Sequence, residues 1–294
     1  MDPHHLRTFV TVARLASFSE AARALGYTQS AVSQHIAALE HDLGLPLLAR
    51  RPVVPTPAGE RLLEHAGALL LRIDAARADL GRFAAAPIRT LTLAASPLAP
   101  HPRVLAALAG LPTTLGVTLR TLPRDEVPAA VATGAADLGL VDGPAAASDP
   151  LRLPDAGPLT AVRVAEEPFA VVLPAGHPLA GRPGLRLADL VDARWLDAPD
   201  AGVPLDRLRS ANGGPVGQGF RAALRHEGTD SRVLGALAAA GHGLTLLPVS
   251  LAAEVTGAVA VPLVSPRLVH RVELLHTGAE PEGPPAELAR RLAD

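Results

Sequence analysis

The distribution of proline divides this chain of 294 residues into parts with different folds. No proline occurs in residues 4–45 or 58–86, whereas four fall in residues 46–57 and 24 fall from Pro87 onward. Proline removes a backbone N–H and clashes inside a helix, so long helices are confined to the proline-free stretches. The sequence therefore predicts a helical N-terminal unit, one long helix and an α/β body that is rich in loops.

Three helices are predicted in the first proline-free stretch. Apolar residues at i, i+3, i+4 and i+7 indicate the first helix, and Ser17 and Glu20 have the spacing of a capping box that opens a second. Gly26 ends this short second helix, and Thr28 can cap a third. Two helices joined by such a tight turn are typical of a helix-turn-helix. The predicted inner face of the third helix consists of Val32, Ile36, Leu39 and Leu43.

Short polar side chains occupy the opposite face of the third helix, namely Gln29, Ser30, Ser33 and Gln34. Glutamine can pair bidentately with adenine, and serine can bond either bases or phosphates, so this face suits the major groove of DNA. The alternative is an ordinary solvated face of a three-helix bundle. The pattern alone leaves both interpretations open.

The second proline-free stretch predicts a single long helix that opens at Thr56 and Pro57. Apolar residues recur along it at spacings of three and four, which favours a coiled-coil seam and hence dimerisation. The alternative is a helix buried in the domain that follows. The seam residues are Leu62, Ala66, Leu69, Ile73, Ala76, Leu80 and Phe83.

Predicted strands and helices alternate through the rest of the chain, which indicates parallel sheets covered by helices. In such folds ligands bind at the carboxyl ends of strands. The residues that follow predicted strands, and are therefore candidate ligand contacts, are Ser96, Pro97, Leu98, Arg124, Pro199 and Asp200. The predicted strands include residues 88–95, 116–122, 137–141, 169–173, 195–196 and 244–247, and the predicted helices include residues 102–108, 126–133 and 233–240.

Two of these candidates could recognise a carboxylate. Ser96 could donate to one, and Arg124 could bind one bidentately, although Arg124 could instead pair with its neighbours Asp125 or Glu126. Asp200 opposes a strongly anionic ligand and favours one with an amine.

Composition excludes several classes of chemistry. All 27 basic residues are arginine, so Schiff-base catalysis is excluded, and the absence of cysteine excludes thiol nucleophiles and thiol-based redox sensing. The eleven histidines lack metal-binding spacing, and no Gly-x-Ser-x-Gly elbow occurs. We therefore expect no catalytic residue, metal or cofactor. Without a secretory signal or a membrane span, we also expect a cytoplasmic protein.

Motifs in the first 66 residues follow the order and spacing of one family. They are Leu6-x-x-Phe9, Ala16-Ser17-Phe18-Ser19-x-Ala21-Ala22-x-x-Leu25, Thr28-Gln29-Ser30-Ala31-Val32-Ser33, Ile36-x-x-Leu39-Glu40-x-x-Leu43-Gly44, Pro46-Leu47-Leu48-x-Arg50 and Thr56-Pro57-Ala58-Gly59. Together they resemble the winged helix-turn-helix of the LysR-type transcriptional regulators. The segments Glu167-Pro168-Phe169, His177-Pro178-Leu179-Ala180, Leu187-Ala188-Asp189-Leu190 and Gly241-x-Gly243-Leu244 resemble the effector-binding domain of the same family.

The resemblance implies an N-terminal all-α winged helix-turn-helix with a long linker helix, and a C-terminal α/β two-lobed effector-binding domain of the periplasmic-binding-protein type. The implied boundaries are 1–57, 58–86 and 87–294, with lobe one at 88–163 and 267–294 and lobe two at 164–266. The implied partners are double-stranded DNA with an interrupted palindrome, a carboxylated or amphoteric small-molecule effector, further copies in a dimer or tetramer, and RNA polymerase, with no membrane. The alternative is a solute-binding α/β protein whose helical N-terminus serves only assembly.

The DNA-binding residues expected from this resemblance are Ser19, Thr28, Gln29, Ser30, Ser33, Gln34, Arg50 and Arg51. Family members usually have a basic residue at the position of Gln34, and the wing between Arg50 and Thr56 is about two residues short. Residues 1–60 contain five arginines and five acidic residues. We therefore expect weak non-specific DNA affinity with a shallow dependence on salt, because each lost phosphate contact removes roughly one unit of slope.

Overall fold

The computed structural model describes residues 1–82, 90–146, 149–213, 219–277, 281 and 283–293. The chain divides into two compact units, one of residues 1–83 with 155–157 and the other of residues 84–154 with 158–294. Phe83 of the predicted seam and the first two residues of the predicted strand 88–95 lie outside the described residues.

The N-terminal unit consists of three short helices, a two-stranded wing and a long helix. In chain order they are α1 (Pro3–Leu15), α2 (Phe18–Leu25), α3 (Gln29–Leu43), β1 (Leu48–Arg50), β2 (Val53–Pro55) and α4 (Pro57–Arg82). Local signals fix their ends, since the Ser17 side chain accepts from the backbone N–H of Glu20 and Gly26 ends α2 in the left-handed region at φ 70°. The predicted cap at Ser17 and the predicted helix end at Gly26 are therefore confirmed.

The core of this unit lies between α1, α2, α3 and the start of α4. Phe9, Val32 and Ile36 are fully buried, and α3 turns this apolar face inward. Leu43 was expected on the same face, but 38% of its surface is exposed because it stands in the last turn of α3, just before Gly44 ends the helix. The three-residue strands β1 and β2 pair antiparallel, and this short wing agrees with the shortened sequence.

The C-terminal unit contains ten strands and six α-helices among its described residues. They are β3 (Thr90–Ala95), α5 (Pro102–Ala109), β4 (Gly116–Thr121), α6 (Val127–Ala132), β5 (Leu138–Ala145), β6 (Leu159–Pro174), β7 (Leu185–Arg186), β8 (Arg194–Asp197), α7 (Leu205–Ala211), β9 (Arg221–Arg225), α8 (Ser231–Ala239), β10 (Thr245–Pro248), α9 (Val249–Ala252), β11 (Ala258–Ser265), β12 (Val269–Thr277) and α10 (Pro284–Ala293). Single 3₁₀ turns cover Arg124–Glu126 and Leu187–Leu190.

Eight of these strands form one mixed sheet in the order β4-β3-β5-β12-β6-β11-β7, with β10 also paired to β6. Strand β3 pairs parallel with β4 and β5, as alternation predicts. However, β12 is antiparallel to both β5 and β6, so the prediction of parallel sheets alone is wrong. The reason is that β12 comes from the C-terminal end of the chain and re-enters the sheet from the other lobe without a crossover helix.

Strand β6 belongs to both lobes. Its residues 159–168 pair with β12, whereas residues 169–174 pair with β10 and β11. The core of one lobe contains Leu91, Leu138 and Leu274, and that of the other contains Trp195 and Phe220. Among the described residues, no helix combines the length and apolar character needed to cross a membrane.

Candidate DNA-binding and effector sites

The first turns of α3 present polar side chains to solvent. Gln29, Ser30 and Gln34 are exposed and Ser33 is half-buried, while the Thr28 side chain accepts from the N–H of Ala31 at 3.1 Å. The cap explains why the helix begins at Gln29, and the backbone N–H groups of Gln29 and Ser30 have no partner within the helix. A helix N-terminus with free N–H groups and short polar side chains is suited to contact a phosphate and the adjacent base edges.

Residues from α2 and the wing lie around this helix. The Ser19 hydroxyl is 3.3 Å from Oε1 of Gln29, so the starts of α2 and α3 are adjacent. The guanidinium of Arg50 lies 5.7 Å from the ring centre of Phe18, and Arg51 is exposed at the turn of the wing. The expected DNA-binding residues therefore include side chains from three elements, and Ser19 and Gln29 are brought into contact.

The N-terminal unit has less available positive charge than its number of arginines suggests, because acidic groups neutralise some of its cations. Arg7 pairs with Asp74 of α4 through Nη2 at 2.9 Å, so its charge is neutralised within the unit. The N-terminal ammonium pairs with Asp42 at 2.8 Å. Few cations are therefore left to bind phosphates, which agrees with the near-neutral sequence of residues 1–60.

The predicted seam of α4 is divided between two roles. Leu69 and Leu80 are 38% and 71% exposed, and Ala76 is also exposed, so these side chains are available to a partner. Ala66 is different, because it is fully buried in the core of its own unit, where Leu62 also packs. Ala66 is therefore inaccessible to a partner in this arrangement, because the first turns of α4 close the helix-turn-helix core.

Ser96 and Arg124 meet at a carboxylate that the sequence interpretation missed. The Ser96 hydroxyl donates to Oδ1 of Asp142 at 2.6 Å and accepts from the Asp142 N–H at 2.9 Å. Arg124 donates from Nη2 to Oδ2 of Asp142 at 3.0 Å and from Nε to the Asp142 carbonyl at 2.5 Å. Arg124 therefore does not pair with either of its chain neighbours.

This carboxylate remains ionised although it is 1% exposed. Burial alone would raise the pKa of Asp142, but Arg124 and His270 lower it well below its ordinary value. The hydrogen bond from Ser96 lowers this pKa further. The charge of the Arg124 guanidinium is therefore balanced by Asp142, which engages its Nε and one N–H of Nη2. A second ligand could reach only the remaining N–H groups on Nη1 and Nη2.

The other candidate contacts differ in availability. Leu98 is 2% exposed and belongs to an apolar cluster with Leu196 and Leu234, so it is a core residue. Pro97, Pro199 and Asp200 are half-buried. The Asp200 carboxylate makes no hydrogen bond or ion pair with any residue in the described part of the chain.

Both units match models of one protein family. The model described as "Bacterial regulatory helix-turn-helix protein, lysR family" matches residues 3–60, and "LysR substrate binding domain" matches residues 84–293. A "Probable hydrogen peroxide-inducible genes activator" of Mycobacterium xenopi is 39% identical over 183 residues, which are 60% of this chain and 92% of that protein.

Two solved full-length regulators match nearly the whole of this chain. Full-length BenM is 25% identical with a TM-score of 0.54, and the match covers 99% of this chain and 95% of that chain. Full-length CbnR, solved with its target DNA, is 22% identical with a TM-score of 0.54 over 99% of both chains. The second likeness shows the fold alone, and that fold spans both units in the same order.

Proposed function

This chain belongs to the LysR family of DNA-binding transcriptional regulators, and from that premise we propose which of its residues bind DNA, join two copies and contact the effector. Both family models match in order along the chain, so a solute-binding protein whose N-terminus serves only assembly is not favoured. A regulator that binds chromosomal DNA acts in the cytoplasm, and RNA polymerase is its proposed further partner.

The proposed DNA contacts are the exposed residues at the start of α3, with Ser19 of α2 and the wing arginines Arg50 and Arg51. The observation that carries this proposal is the capped start of α3, where Gln29, Ser30 and Gln34 are exposed together. Gln29 is the proposed base reader, because its amide can pair bidentately with adenine in the major groove. The hydroxyls and arginines bind phosphates and fix the register.

Binding to the DNA upstream of the protein's own gene tests this assignment. In a fluorescence anisotropy titration, Gln29→Ala is expected to weaken specific binding by about 1–3 kcal/mol. His65→Ala, on an exposed position of α4, is the matched control and should bind like the unchanged protein. The logarithm of affinity should fall with the logarithm of salt concentration with a slope well short of about −10.

Three results would contradict the proposal. Absence of any DNA binding at low salt would favour the solute-binding alternative, and equal losses for Gln29→Ala and His65→Ala would remove Gln29 from the interface. A slope near −10 would show phosphate contacts that the described arginines do not supply.

We further propose that the effector is a small amphoteric molecule bound between the lobes. The charge of Arg124 is balanced by Asp142, so Arg124 attracts a purely carboxylated effector less strongly than an unpaired arginine would. The unpaired carboxylate of Asp200 supports an effector that has an amine. Isothermal titration calorimetry with amino acids and amines, comparing the unchanged chain with Asp200→Asn, checks this, and equal binding by both would remove Asp200 from the site.

A further inference from the structure

In the described part of the effector-binding domain, two segments pass from one lobe to the other, and a buried polar cluster lies beside both. One is β6, which changes partners after Pro168, and the other is the link of residues 266–268 between β11 and β12. Glu167 lies immediately before Pro168, the residue after which β6 changes partners. His270 is the second residue of β12, and it stands directly opposite Glu167 in the antiparallel register.

On the side of lobe one, His270 faces a carboxylate. Its ring is 1% exposed, and Nε2 lies 3.3 Å from Oδ2 of Asp142. Arg124 contacts the same oxygen at 3.0 Å. The imidazole is therefore enclosed beside an ionised group whose position Arg124 and Ser96 already fix.

On the side of lobe two, the same ring faces Glu167. Nδ1 of His270 lies 3.8 Å from Oε1 of Glu167. Glu167 in turn accepts from the Ser250 N–H at 2.8 Å and from the Ser250 hydroxyl at 2.7 Å, at the start of α9. Because α9 and β10 belong to lobe two, the series Arg124–Asp142–His270–Glu167–Ser250 extends continuously from one lobe to the other.

The charges in this series balance only when the imidazole is protonated. Burial alone would lower the pKa of His270, but the facing carboxylates of Asp142 and Glu167 raise it. Burial would likewise raise the pKa of Glu167, but His270 and Ser250 lower it. With His270 charged, two cations and two anions lie together.

Among the described residues that surround Glu167 and His270, no other side chain supplies a cation. Nε2 of His101 lies 3.7 Å from Oε1 of Glu167, but burial lowers the pKa of His101, and its Nδ1 accepts from the Arg103 N–H. Phe169 packs on the His270 ring with the ring centres 5.5 Å apart. If His270 lost its proton, Glu167 would keep its hydrogen bonds from Ser250 but would lose the facing positive charge, which is costly for a mostly buried carboxylate.

We propose that charged His270 is an electrostatic latch between the lobes, which holds one arrangement of the two lobes and releases it when the ring loses its proton. The regulator would then respond to pH as well as to its effector. The proposal concerns the effector-binding domain, so it can be tested without DNA and stands apart from the assignment of the DNA contacts.

The direction of the pH dependence follows from the raised pKa. A group whose pKa is higher in the folded protein stabilises it fully below its unfolded value, about 6.5 for histidine, and this contribution is lost as the pH rises through the folded value. The latch should therefore be closed near pH 6 and open under alkaline conditions. The lowered pKa of Glu167 also stabilises the folded protein, but this contribution is lost as the pH falls into the acid range rather than as it rises.

Spin labels can measure the lobe arrangement directly. Since the chain has no cysteine, Thr113→Cys in lobe one and Arg182→Cys in lobe two place labels only at these exposed positions of the full chain. Pulsed electron paramagnetic resonance measures the distance between the two labels. Diluting labelled protein into unlabelled protein restricts this measurement to labels within one copy. We expect one narrow distance distribution near pH 6 and a second population that grows as the pH rises to 9.

His270→Gln and Glu167→Gln should abolish this pH-dependent change, while His242→Gln, an exposed histidine of the same domain, should keep it. In histidine-selective NMR, the resonance missing from His270→Gln should titrate above pH 6.5 in the unchanged chain. An unchanged distance distribution between pH 6 and 9, the same transition in His270→Gln, or a His270 midpoint below 6.5 would each overturn the proposal. If His270→Gln does not fold, the unchanged chain and Glu167→Gln decide.

Discussion

Gly59 and Gly67 of α4 differ in whether their surroundings leave room for a Cβ atom. A Cβ at Gly59 would lie 2.1 Å from the backbone oxygen of Leu47, because the first turn of α4 packs directly on the chain that enters the wing. A Cβ at Gly67, two turns later, would meet nothing within 4 Å. Glycine is therefore required at the first position for close packing, whereas at the second it only lowers helix propensity.

Opposite effects on stability are expected from the two alanine substitutions. Gly59→Ala should lower the free energy of unfolding by about 1–3 kcal/mol, because rigid backbone has to move. Gly67→Ala should raise it by about 0.5–1 kcal/mol, because alanine is the better helix former. Urea unfolding followed by circular dichroism measures both, and each variant serves as the control for the other. Changes of the same sign would refute the distinction.

Residue-level prediction from sequence worked where the signal was local. Ser17, Thr28 and Gly26 act within one turn of their own helix, so their capping roles could be inferred from spacing alone. The partner of Arg124 could not be inferred, because Asp142 is 18 residues away and reaches it only once β5 is placed beside β3. The missed residues of the site, Asp142, Glu167 and His270, are all of this kind.

At the scale of elements, α4 shows why a heptad pattern alone is ambiguous. The spacing indicates one continuous seam along a helix of 26 residues, about 39 Å long. The structure divides this seam, since its first turns close the core around Ala66 while Leu69 and Leu80 remain exposed. Periodicity identifies which side chains are apolar on one face, but it does not tell whether that face packs on its own chain or on another.

We expect the exposed part of α4 to hold two copies together. The double substitution Leu69→Glu and Leu80→Glu should convert the oligomer to a monomer in sedimentation equilibrium, because it places charges at two apolar contacts of the seam. The control is Ala68→Glu, which adds a charge at an exposed position about a third of a turn from the seam. If the double variant keeps the mass of the unchanged protein, the seam lies elsewhere.

For the whole molecule, the missing cysteine and lysine limit how the regulator can work. A two-lobed domain with a hinge of two strands can respond to any event that favours one lobe arrangement, whether a bound ligand, a proton or a covalent change. Covalent sensing by a thiol needs a cysteine, and this chain has none. Reversible binding and protonation need no thiol, and the buried charges between the lobes agree with a response to protonation.

We therefore expect hydrogen peroxide to leave the regulator unchanged, although the Mycobacterium xenopi relative is named as an activator of peroxide-inducible genes. Met1 is the only sulfur-containing residue, so intact-mass spectrometry of peroxide-treated protein should show at most oxidation of this residue. DNA binding measured before and after treatment should be equal. The relative, treated in parallel, shows whether the peroxide dose is sufficient to change a protein of this family. A peroxide-dependent change in DNA binding by this chain, with its mass otherwise unaltered, would mean that it detects the oxidant without a thiol.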